Sequence, residues 1–246
     1  EKRPVTFCFN GGPGSASLWL HMGGMGPKRA PMPDDGSLPR PPYNVEDSDS
    51  SWLDFTDLVF IDAPNTGYSR IARNDLNSKY LGVRPDISAF TNFIKKWLSE
   101  HNRWDSPLFI AGESYGGIRG SGLTKSLFDA GIAVHGFISI SGVNHYMTLR
   151  EQRGNVIPYI GFFPTFTATA WYHKKLNPRF KTVEQAVEES KKFVAEEYGN
   201  ALLKGDSLTP AERDRIATKM AELSGLSKKF CLDANLKVSP FTFFKE

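Results

Sequence analysis

Apolar residues fall into two regimes along this chain. Up to about residue 150 they come in short runs, Val5 to Phe9, Leu58 to Ile61, Leu108 to Ala111 and Phe137 to Ile140, most flanked by Gly, Pro, Asn or Asp. Runs of that length between turn residues predict strands buried on both faces. Ile87, Phe90, Ile94, Trp97 and Leu98 recur at helical spacing behind Pro85-Asp86, a helix start. A second helix is predicted to follow Ser114 and run to about Ala130, where Gly131 stops it. Strands alternating with helices predict a mainly parallel α/β sheet.

Beyond residue 150 the period changes. Val183, Ala186, Val187, Val194, Tyr198, Ala201 and Leu202 follow a helical stripe, and Thr209-Pro210-Ala211-Glu212 reads as a capping box opening a helix through Ile216, Met220 and Leu223. Gly26 to Ser51, rich in Pro, Gly and Asp, reads as a long surface connection. The chain therefore divides into residues 1–150, an α/β core, and 151–246, a helical insertion or cap.

Composition narrows the function classes. Eighteen Phe, 5 Trp and 8 Tyr supply enough apolar surface to exclude a disordered chain. No apolar run approaches the ~18 residues of a membrane-spanning helix. Thirty basic residues against 27 acidic ones leave a net charge of +3, scattered along the chain, which gives no footing for nucleic acid. Cys8 and Cys231 have neither metal-ligand spacing nor near neighbours of their kind, so buried free thiols are expected, with no metal and no cofactor. Glu1-Lys2-Arg3-Pro4 leads directly into the first strand, and no signal peptide is read there.

Gly112-Glu113-Ser114-Tyr115-Gly116 directly follows one predicted strand and precedes a helix. A nucleophile elbow needs that context: a serine on a strained strand-to-helix turn, its Oγ exposed and the following N–H aimed at a developing oxyanion. The alternative is an incidental serine-bearing turn. Asn10-Gly11-Gly12-Pro13-Gly14-Ser15 follows the first strand, and such a loop can present further N–H donors. It could also be a plain turn or a phosphate-cradling loop, but without a following Gly-Lys-Ser/Thr it is not a Walker loop.

These two motifs, in this order, with Leu58-Val59-Phe60-Ile61-Asp62 and Gly67-Tyr68-Ser69 between them, resemble the serine carboxypeptidases, most of all their bacterial branch. The resemblance covers residues 4–150, and the helical remainder looks like the family's insertion. It implies an α/β-hydrolase-type fold with helices on both sheet faces, and release of C-terminal residues from peptides through an acyl-enzyme, without a cofactor. By position, Ser114 would be the nucleophile, Gly12 and Tyr115 the oxyanion-hole donors, and Asn10 and Glu113 the clamp on the substrate's terminal carboxylate. Two carboxylates cannot share a site while both are charged, so the implied role needs a protonated Glu113 and favours acidic pH. The family also implies a secreted or periplasmic enzyme. Departures are Cys8 where a tryptophan is usual, Gly24 where a clamp-supporting glutamate is usual, Gly117-Ile118-Arg119 after the elbow, and the missing disulfides.

A triad in this fold needs an acid and a histidine after the serine. Of His135, His145 and His173, only His145 follows a strand's C-terminal end, and all three are read as structural or second-rank positions. Asp62 is read as a loop-fixing acceptor. The family order would place both missing groups beyond Glu246, so a fragment of a longer peptidase is expected. The alternatives are an inactive hydrolase-like binding module, and an esterase or acyltransferase using the same acyl-enzyme.

Overall fold

A computed structural model describes residues 3–246; Glu1 and Lys2 lie outside the described residues. The chain forms two compact units, one ending at Asn144 and one running from His145 to Glu246.

The first unit contains β1 (Val5–Phe9), α1 (Leu18–Leu20), β2 (Lys28–Arg29), β3 (Glu46–Asp47), β4 (Asp57–Phe60), α2 (Val83–Glu100), β5 (Leu108–Glu113), α3 (Gly116–Asp129) and β6 (Gly136–Ile140). Four strands form one parallel sheet in the order β4-β1-β5-β6. Side chains alternate across it as the two-residue period requires. Val5, Phe7, Phe9, Leu108 and Ile110 face Phe90, Ile94 and Leu98 of α2 and Leu123 and Leu127 of α3. Phe9 meets Phe90 edge-on at 5.1 Å, and Phe7 meets Trp97 at 5.3 Å. On the opposite face Cys8 and Ala111 lie under Leu20, Met25 and Trp52, which belong to short helical turns. Burial on both faces holds for all of β1, whereas the edge strands β4 and β6 are only partly covered. The expected surface connection from Gly26 to Ser51 carries one feature the sequence did not suggest, an antiparallel pairing of β2 with β3.

The second unit is helical: α4 (Ile157–Tyr172), α5 (Val183–Phe193), a turn over Val194–Tyr198 leading into α6 (Gly199–Lys204), α7 (Pro210–Ser224), α8 (Lys228–Asp233) and α9 (Pro240–Phe243). The capping box forms as read: Glu212 N donates to Thr209 Oγ1 at 3.2 Å and Thr209 N to Glu212 Oε2 at 2.8 Å. Phe163, Phe166, Phe193, Tyr198, Ile216, Met220 and Leu223 make its core. From the terminal aromatic run, Phe243 stacks on Phe166 at 4.2 Å, while Phe241 and Phe244 stay exposed. Cys8 and Cys231 are buried free thiols, and burial pushes their pKa values up to about 12 and about 11. Among the described residues no helix is long and apolar enough to cross a membrane.

Candidate active site

Strand β5 ends at Glu113, and the chain reverses at Ser114 before entering α3 at Gly116. Ser114 has φ +57°, a left-handed conformation that costs a non-glycine residue roughly 1–2 kcal/mol. Three backbone bonds hold it there. Ser114 N donates to Ile140 O at 3.0 Å, and Ser114 O accepts from Gly117 N at 2.9 Å and Val143 N at 2.7 Å. Gly112 is demanded by space, since a Cβ there would meet Gly116 O at 2.5 Å and the Phe9 ring at 2.8 Å. Gly116 is not: its Cβ would lie 3.4 Å from Phe9. The second steric demand falls one residue later, at Gly117, whose Cβ would lie 2.8 Å from Val143 O.

The glycine-rich loop after β1 lies directly against this elbow. A Cβ on Gly11 would overlap the Tyr115 backbone nitrogen and sit 2.7 Å from Glu113 O, so only glycine allows the approach. Gly12 follows with φ +103°. The structure thus brings Gly11, Gly12, Ser114 and Tyr115 into one place from the same ends of neighbouring strands.

Asn10 and Glu113 are brought together as well. Asn10 Nδ2 donates to Glu113 Oε2 at 3.1 Å, and Gly11 N donates to the same oxygen at 3.2 Å. Leu20 N donates to Asn10 Oδ1 at 2.9 Å, which orients the amide so that its NH2 faces the carboxylate. Asp62 is an acceptor for its own surroundings, taking Ser17 N at 2.8 Å and Tyr68 N at 2.9 Å. Gly67, at φ +47°, has no room for a side chain against that carboxylate. Gly24 has φ +137°, a backbone conformation unsuited to the glutamate usual at that position.

The histidines after Ser114 have partners of their own. Leu108 N donates to His135 Nδ1 at 3.2 Å, and Met147 N donates to His145 Nδ1 at 3.1 Å. An Nδ1 that accepts leaves the proton of a neutral imidazole on Nε2, the wrong tautomer for a triad base. His173 packs edge-on against Tyr172 at 5.1 Å.

One residue at the site escaped sequence reasoning. Arg119, on α3, is fully buried beneath the loop and pairs with Asp86 on α2 through Nε–Oδ2 at 2.8 Å and Nη2–Oδ1 at 3.1 Å. Its Nη1 donates to Asn10 O at 2.7 Å and its Nη2 to Pro13 O at 3.2 Å. The guanidinium also lies 4.4 Å from the centre of the Phe90 ring and 5.2 Å from that of Tyr115. The available signal was positional: Arg119, Leu123 and Leu127 share one helix face at four-residue spacing, and a cation on an apolar stripe needs a buried partner.

A serine held at positive φ between a parallel strand and a helix, with a glycine loop against it, is the local backbone geometry of a nucleophile elbow. The family model for serine carboxypeptidases matches residues 1–208, and the chain belongs to that family. It is 34% identical over 120 residues, 48% of this chain and 17% of the relative, to the pheromone-processing carboxypeptidase KEX1 of Colletotrichum graminicola. With the enzyme of the same name from Uncinocarpus reesii it shares 31% over 171 residues, 65% of this chain and 25% of the relative. A crystal structure of a prohormone-processing carboxypeptidase from Saccharomyces cerevisiae aligns with TM-score 0.49 and 19% identity, covering 91% of this chain and 45% of that one. The two curated relatives are fungal, and the bacterial affiliation suggested by the sequence is not borne out. The chain spans a quarter or less of the length of the two curated relatives.

Proposed function

We propose that this chain carries the nucleophile and the terminal-carboxylate clamp of a serine carboxypeptidase. The observation that supports it best is the meeting of Asn10 and Gly11 N–H on Glu113 Oε2 beside Ser114, in a member of this family.

On this reading the chemistry is an acyl-enzyme cycle. Ser114 Oγ adds to the scissile carbonyl and gives its proton to the histidine base that the family implies; that proton passes to the amine of the departing C-terminal residue as its bond breaks, and water releases the acyl group. Gly12 N–H and Tyr115 N–H stabilise the oxyanion, each donor contributing about 3 kcal/mol in comparable sites. The departing residue's free carboxylate binds at Asn10 and Glu113, with one proton shared between the two acids. On this reading the substrate is a peptide with a free C-terminus, and residues 151–246 are the family's helical insertion. The enzyme works in a secreted or periplasmic setting, which fractionation of source cells checks.

The test compares a blocked dipeptide with its C-terminal amide and with a simple ester, using the polypeptide as its source makes it. The reading requires release of the C-terminal residue from the free acid, at least tenfold faster than cleavage of the amide. Ester cleavage without peptide cleavage would assign an esterase instead.

A further inference from the structure

We propose that Arg119 is a positioning residue that sets the glycine loop and, through it, Glu113; the inference rests on the carboxypeptidase reading. The Asn10–Gly11 and Pro13–Gly14 peptides are trans, so in each the C=O and the N–H point in opposite directions. Arg119 Nη1 holds the Asn10 carbonyl at 2.7 Å, beneath the loop. The N–H of the same peptide unit, on Gly11, is thereby turned the other way, onto Glu113 Oε2 at 3.2 Å. Nη2 holds the Pro13 carbonyl at 3.2 Å, so the two grips bracket Gly11 and Gly12.

No other residue type does this from that position. Asp86 occupies the Nε–Nη2 edge of the guanidinium and fixes its plane, leaving Nη1 and the second Nη2 hydrogen for the carbonyls. Charge on the donor strengthens each bond, and the polarised Asn10–Gly11 peptide becomes a better donor to Glu113. Lysine would satisfy the Asp86 charge, but a single ammonium cannot reach both carbonyls and the carboxylate in these directions. A purely structural ion pair and a positioning fork therefore make different predictions for the conservative change.

Two variants separate them. Arg119→Lys keeps the charge. The double variant Asp86→Asn/Arg119→Met removes both charges, leaves no buried ion unpaired and keeps volume for the case in which the lysine variant does not fold. For each, amide hydrogen exchange at Gly11 and Ser15 is measured against β1, alongside kcat and KM of the source-made polypeptide on the free-acid dipeptide and its amide. The expected result is at least tenfold faster exchange at Gly11 and Ser15 with β1 unchanged. Turnover should show kcat reduced at least tenfold on both substrates and a smaller preference for the free acid. Wild-type exchange and kcat in a folded lysine variant, or wild-type loop exchange in the double variant, would overturn the proposal. If the unmutated protein releases no C-terminal residue, the peptidase reading fails, and the exchange rates alone decide the role of Arg119.

Discussion

Asn10 and Glu113 are 103 residues apart in the chain, yet Asn10 Nδ2 lies 3.1 Å from Glu113 Oε2. The cause is strand register. Phe9 stands opposite Gly112 where β1 pairs with β5, so the next residue of each strand emerges side by side at the same end of the sheet. Ligands of parallel α/β sheets bind at the carboxyl ends of the strands. A one-residue slip in that pairing would separate the two side chains.

The left-handed backbone of Ser114 gives the first prediction. Ser114→Ala and Ser114→Gly should both abolish turnover, but with different effects on stability. Glycine adopts φ +57° without steric cost, so Ser114→Gly should be about 1 kcal/mol more stable than Ser114→Ala in urea unfolding. Equal midpoints for the two variants would mean the elbow is unstrained, and surviving turnover would remove Ser114 from its assigned role.

For Glu113 the expectation concerns pH. Binding a free-carboxylate peptide requires one proton for two acids, so affinity should fall as pH rises, up to about tenfold per unit while the proton must be taken up. In Glu113→Gln the side-chain amide retains an oxygen for Asn10 Nδ2 and Gly11 N and donates from its NH2 at any pH. Calorimetric titration across pH should therefore show the slope in the unmutated protein and lose it in the variant. The same slope in both would exclude Glu113 as the proton's partner.

At the opposite end of the sheet, Asp57 accepts from Arg3 Nε at 2.9 Å and Arg103 Nη1 at 2.7 Å. Burial acts to raise its pKa, but the bonds and charges of Arg103 and Arg3 outweigh it and hold the carboxyl below its ordinary value. A lowered folded pKa stabilises the protein above the unfolded value, about 3.9, and the contribution is lost as pH falls through the folded one. With over a third of the side chain exposed, solvent screening limits the effect to on the order of 1 kcal/mol. Asp57→Asn should cost that much in urea unfolding at pH 7 and much less near pH 2; a cost that does not change with pH would contradict the pairing.

The sheet and the elbow were legible in the sequence because their determinants are local. Short apolar runs between turn residues located β1, β4, β5 and β6 to within two residues. Helix α4 was not legible. Its Pro158, Gly161 and Pro164 lower helix propensity, and its apolar residues are too uniform to leave a stripe; packing in the helical unit overrides both. At the site, the motif residues announced themselves, but the second steric demand proved to lie at Gly117 rather than Gly116. Arg119 was visible only as a departure from the family pattern, because its meaning depends on Asp86 and two carbonyls from elsewhere in the chain.

The β1–β5 register also orders events during folding. Closing a loop of 103 residues costs about 4 kcal/mol of chain entropy, with no reward until the strands zip. Parallel, non-local pairings of this kind form slowly compared with helix-rich segments. A chain in which β1 and β5 have not yet paired therefore holds no Asn10–Glu113 contact. On the carboxypeptidase reading, the clamp comes into being only when that pairing closes.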